Sequence, residues 1–149
     1  MISKDINEKV QYSEPFLFVE EILSVSTEKI VGTYTFSKDA YFYKGHFKDN
    51  PVTPGVILTE CMAQIGLVCF GIFLLSEENV VENSNFALSS TEVNFYLPVF
   101  PGEKIKVVSE KIYFRFNKLK CKVEIRNSED LLVAKGIISG MLLKENNRI

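Results

Sequence analysis

Histidine is nearly absent from this 149-residue chain: there is one, His46, and no tryptophan. One imidazole and three cysteines without a CxxC pair (Cys61, Cys69, Cys121) cannot assemble a zinc set. The odd cysteine count also rules out a fully paired disulfide framework and fits buried free thiols in a reducing compartment. Charge of one sign is not in excess either. A formal net charge of −2 gives no electrostatic case for nucleic acid or an anionic membrane as the main partner. There is no internal repeat, low-complexity tract or linker, so the expectation is a single domain over residues 1–149. The first fifteen residues, MISKDINEKVQYSEP, are polar and carry neither an apolar secretory core nor the character of an organelle presequence, so a cytoplasmic location is expected.

Long apolar runs are scarce as well. Only Val56 to Leu75 approaches the roughly 20 residues of a bilayer span. Glu60 and Gln64 in its first third argue instead for a helix enclosed by protein, since a helix apolar on all faces is one that is surrounded. Thr53-Pro54-Gly55 opens this helix, with Thr53 as N-cap, and the polar stretch 76–85 closes it. Residues 16–36 alternate loosely and predict a strand and a hairpin turning near Thr27-Glu28-Lys29. Four extended runs follow the helix, at about 86–99, 104–116, 119–127 and 131–143, with turns at Asn117-Lys118 and Asn127 to Asp130. The fold class is α+β, an antiparallel sheet wrapped around one long helix. One curved sheet covers only part of such a helix, so a second protomer is expected to cover the rest.

The chemistry concentrates in YFYKGHFKDNPVTPGVILTECMAQIG, residues 41–66. Gly45, Pro51 and Pro54 place His46 on a loop. Glu60 precedes Gln64 by four residues, so the two share a helix face among Val56, Ile57, Cys61, Met62 and Ile65. Desolvation there raises a carboxyl pKa and favours the protonated form, a proton donor that Gln64 can orient. A neutral His46 makes a general base. The helix start at Gly55 and Val56 points backbone N–H groups at whatever carbonyl or anion lies ahead. Acid, base and oxyanion donor thus come from one short segment.

This stretch resembles the signature of the beta-hydroxyacyl-acyl carrier protein dehydratases of the FabZ type, approximately GHFPxxPxMPGVLxxEAMAQ, with the same His-to-Glu separation. EPFLFVEEI (14–22) and VNFYLPVFPGEKI (93–105) resemble two flanking motifs in the family's order. Here Lys48, Thr53 and Cys61 replace the family's Pro, Met and Ala, and Tyr96 and Leu97 stand where basic residues are common. The resemblance implies the hotdog fold, a long central helix wrapped by a curved antiparallel sheet. It implies a hydro-lyase acting on a 3-hydroxyacyl chain held by acyl carrier protein, in fatty-acid or specialised lipid or polyene synthesis, with no metal or organic cofactor. His46 would act at C2, Glu60 would protonate the departing C3 hydroxyl, and the Gly55 N–H would hold the thioester carbonyl. Val56, Gln64, Phe47 and Pro54 would line the substrate. The site would lie at a homodimer interface, His of one protomer facing Glu of the other, with dimers assembling further into a trimer of dimers. Glu rather than Asp at position 60 favours dehydration alone over dehydration with isomerisation.

Other readings use the same residues. A thioesterase of this fold would employ Glu60 as base or nucleophile; Cys61 could serve as a nucleophile with His46; a non-catalytic partner subunit would bind acyl chains without turnover. Phe70, Phe73, Phe86, Phe95 and Tyr96 line a tunnel or fill the core. Charge is also uneven: residues 103–126 hold eight Lys/Arg against three Glu, net +5, which leaves −7 for the remainder. This stretch is either a solvated sheet face or a surface on which Arg115, Lys118 and Lys120 steer an acidic carrier protein.

Overall fold

The computed structural model describes residues 3–78 and 85–143. Helix α2, Gly55–Glu77, is the axis of the fold. Every residue from Cys61 to Leu75 is buried, as expected of a segment with no charge over that span. A six-stranded antiparallel sheet wraps it: β1 (Glu21–Val25), β2 (Lys29–Thr35), β3 (Asn85–Phe95), β4 (Lys104–Arg115), β5 (Lys118–Arg126) and β6 (Leu132–Leu143), in the order β1-β2-β4-β5-β6-β3. Period-2 alternation directs Ile105, Val107, Leu119, Cys121, Val123 and Ile125 onto the helix, all nearly inaccessible. A short helix α1 (Ser3–Lys9) adds Ile6, fully buried, to the same core. The predicted helix, the hairpin at 26–28 and the four later strands are all present; residues 79–84, within the predicted polar stretch, lie outside the described residues.

The middle of α2, Gln64–Cys69, widens into a π-helical turn. The Ser109 hydroxyl on β4 donates to the Gly66 carbonyl at 2.8 Å. A Cβ on Gly66 would stand 3.0 Å from that of Ser109, so glycine is what lets β4 approach here. Such turns recur next to functional positions, and Glu60 lies one turn before this one.

Four expectations need correction. Strand β1 begins at Glu21 rather than Phe16, because the backbone of Phe16 and Phe18 is hydrogen-bonded to Gln64 and so is not available to a ladder. Thr53 is not the N-cap: Pro54 holds that position, and the Thr53 hydroxyl bonds Tyr43 Oη at 2.5 Å. The β4–β5 turn falls on Phe116-Asn117, both at positive φ, 52° and 60°. Finally, no second protomer is needed to cover the helix body. Exposed apolar side chains lie off the helix body, among them Val56 on its first turn and Leu88 and Phe95 along the edge strand β3.

Candidate active site

The loop carrying His46 is closed by its own backbone. Val52 N–H donates to the His46 carbonyl at 2.8 Å, while Phe47 and Asn50 exchange bonds at 3.1 and 3.3 Å. His46 Nδ1 sits 2.9 Å from the Val52 carbonyl. A carbonyl only accepts, so Nδ1 carries a proton, and the neutral ring then has its lone pair on Nε2, the tautomer of a general base. The ring stacks on Phe47, centroids 4.3 Å apart.

Glu60 projects from α2 into partly buried surroundings. Burial holds its carboxyl above the usual range, opposed by a hydrogen bond from Gln64. Gln64 is itself wholly buried: Nε2 donates to Glu60 Oε2 at 3.0 Å and to the Phe16 carbonyl at 3.0 Å, and Oε1 accepts from Phe18 N–H at 2.8 Å. Tyr12 lies near enough that the Glu60 charge adds to burial in pushing its phenol up to about 12. Burial thus shifts this carboxyl toward its neutral, proton-donating form.

At the start of α2 the Pro54 carbonyl accepts from Ile57 and Leu58 N–H at 3.0 and 3.1 Å. Among the described residues no acceptor meets the N–H of Gly55 or Val56, which leaves both as donors. Gly55 opens onto a depression of about 300 Å³ lined also by Thr53, Leu58, Phe95, Tyr96 and Pro98. A Cβ at Gly55 would stand 3.3 Å from the Phe95 ring. Val56 is 77% exposed and does not line this depression.

The predicted residues thus form two clusters, Glu60 with Gln64, and His46 with Phe47. Among the described residues no hydrogen bond or ion pair joins His46 to Glu60 within one chain. Of the five aromatics, Phe70, Phe73 and Phe86 are core, whereas Phe95 and Tyr96 are half-exposed at the depression. Cys61 is no nucleophile: its thiol is fully buried, directed at the Phe18 carbonyl, and pushed far up by burial. Sequence reasoning missed the clamp on Gln64, the Val52 acceptor, and Tyr12. The first two use backbone groups that side-chain identities do not reveal.

Similarity to known proteins identifies the family and the fold. Residues 12–130 match the model of the FabA-like domain. A 3-hydroxyacyl-[acyl-carrier-protein] dehydratase FabZ from Geobacter metallireducens is 34% identical over 107 residues, 69% of this chain and 70% of that protein. The corresponding protein of Streptococcus agalactiae is 30% identical over 136 residues, covering 91% and 94%. Among solved structures, the dehydratase heterocomplex ApeI:P from Xenorhabdus doucetiae shares the fold at TM-score 0.81, with 14% identity and 97% and 93% coverage. A thioesterase from Haemophilus influenzae does so at 0.70, with 15% identity and 99% and 94% coverage. The match over residues 12–130, with identities of 30–34% to proteins covered over most of their length, places this chain in the FabA-like family, with the FabZ-type dehydratases.

Proposed function

We propose that the chain eliminates water from a 3-hydroxyacyl thioester carried by acyl carrier protein, with His46 as base, Glu60 as acid and the Gly55 N–H as carbonyl donor. The C2 proton, acidified by the thioester, passes to His46 Nε2. The electrons left on C2 form the C2–C3 double bond as the C3–O bond breaks. The departing oxygen takes the Glu60 proton and leaves as water, because hydroxide is a poor leaving group unless protonated. During the step the thioester oxygen gathers charge, and a fixed backbone donor at a helix start stabilises it without reorganising. The trans-2-enoyl thioester and water account for every substrate atom; His46 is left with one proton more and Glu60 with one fewer, and exchange with solvent resets both, so no step calls on a metal or an organic cofactor.

One observation carries this assignment: a partly buried carboxyl in an apolar helix, raised by burial and oriented by a fully clamped glutamine. The separation of His46 and Glu60 into two clusters supports a site completed by a second copy. The unpaired edge of β3 is the natural place for that copy to join, since two such edges pair antiparallel about a two-fold axis. Higher assembly of these dimers into hexamers extends the same reading.

The test follows enone absorbance and thiol release together on a 3-hydroxyacyl thioester, for wild type, His46→Ala and Glu60→Gln. Enone formation that falls by about 100-fold or more in both variants, with no thiol release, supports the assignment. Thiol release without enone makes the protein a thioesterase. Silence on every chain length points to a non-catalytic partner.

A further inference from the structure

The eight cations of the β4–β5 hairpin fall into two groups. Lys104, Lys106, Lys111 and Arg126 are each paired, with Glu20, Asp130, Glu28 and Glu124. Arg115, Lys118, Lys120 and Lys122, toward the tip, meet no carboxylate among the described residues, although Glu110 stands opposite Lys122 in the register. The Arg115 guanidinium lies 4.3 Å above the Tyr113 ring and Lys120 Nζ 5.9 Å from the same ring, which holds these two charges on the outer sheet face. At the tip, Phe116 is 91% exposed, and its φ of 52° lies in the left-handed region that disfavours a bulky side chain. A bulky aromatic in solvent, on unfavourable backbone, stands here beside cations that meet no carboxylate among the described residues.

We propose that this tip is the docking surface for the acyl carrier protein, an acidic partner, with Phe116 as apolar anchor and Arg115, Lys118 and Lys120 as its electrostatic collar. The inference rests on the dehydratase reading above. Charge complementarity selects an acidic partner, and the exposed ring supplies the desolvated centre that charged rims lack. Position is consistent only across a dimer. Within one chain Phe114 packs near Phe86, at the opposite end of β3 from Phe95 and Gly55, roughly 30 Å away. Antiparallel pairing of two β3 edges brings the partner's depression to the same end as this tip, about three strand spacings or 15 Å across the sheet. A carrier docked on one chain would thus feed the site at the partner's helix start.

The experiment measures turnover of one acyl chain on two carriers, the acyl carrier protein and N-acetylcysteamine, for wild type, Phe116→Ser and the pair Lys118→Glu with Lys120→Glu. In both variants KM for the protein-linked substrate should rise about tenfold or more, with kcat/KM on the small thioester within about twofold of wild type. Equal effects on both substrates, or none on either, would overturn the proposal. Titration of the carrier protein into each variant reads docking apart from turnover: wild type binds and the variants do not. A wild type that binds the carrier but turns over neither substrate overturns the dehydratase reading and keeps the surface. A wild type that does not bind, a Phe116→Ser variant whose sedimentation shows a changed oligomer, or wild-type binding to anionic vesicles instead each overturns the surface assignment.

Discussion

The Gln64 side chain bonds Glu60 Oε2 at 3.0 Å while being held from the other side by the backbone of Phe16 and Phe18. The two amide hydrogens have different acceptors and the amide oxygen has a donor, so the group cannot flip without losing bonds. The N-terminal segment therefore sets the orientation of the carboxyl from more than forty residues away in sequence. Gln64→Leu would strand a buried N–H and a carbonyl, and should destabilise the fold by about 2 kcal/mol or more in a urea titration. Dehydration should fall further than the lost folded fraction explains, because Glu60 loses the side-chain hydrogen bond that orients it.

Glu60 also sets a pH dependence. Its carboxyl is raised in the folded chain, so the fold binds that proton more tightly than the unfolded chain does. The associated stability is fully present below the ordinary carboxylate value and is lost as pH rises through the raised one. Glu60→Gln removes this loss. The variant should melt above wild type at neutral pH, and the gap should close on acidification toward about pH 4. A gap independent of pH would mean that burial does not perturb Glu60.

How far such groups were legible in the sequence depends on whether side chains or backbone define them. The helix, its enclosure and the later strands follow from side-chain periodicity, and Glu60 stands out because it interrupts an apolar run. His46 is legible as the sole imidazole on a loop that Gly and Pro keep irregular. The clamp on Gln64 was not legible, since it is made by the N–H of Phe18 and the carbonyl of Phe16, groups that nearly every residue carries. The same holds for the Val52 carbonyl that fixes the His46 tautomer. Thr53 misled as an N-cap because its hydroxyl had a tertiary partner, Tyr43, which local preference does not anticipate. A second protomer on the helix follows only if one sheet face is counted; α1 and the segment before β1 supply Ile6 and Phe18 to the rest, and the sheet has edges at β1 and β3.

Gly55 offers a separation of stability from activity. An added methyl would stand 3.3 Å from Phe95, whose half-exposed ring can turn aside, and alanine favours helix over glycine. Gly55→Ala should leave the melting temperature within about 2 °C of wild type, as surface changes do. The methyl would nonetheless enter the depression in front of the free N–H, and kcat/KM should fall about tenfold or more. Unchanged turnover would remove the Gly55 N–H from the mechanism.

Phe116 should show the opposite balance. Its side chain is almost wholly in water, so removing it forfeits little packing, while its backbone occupies the left-handed region at φ 52°. A left-handed residue other than Gly, Asn or Asp costs on the order of 1 kcal/mol, and a tight hairpin turn with two such positions favours those types. Phe116→Asn should therefore raise stability by about 0.5–1 kcal/mol in denaturant titration. The same substitution removes the proposed anchor, so the more stable variant should use carrier-linked substrate less well and keep its activity on the small thioester. A destabilised variant would mean instead that the ring is packed in solution and is not free to meet a partner.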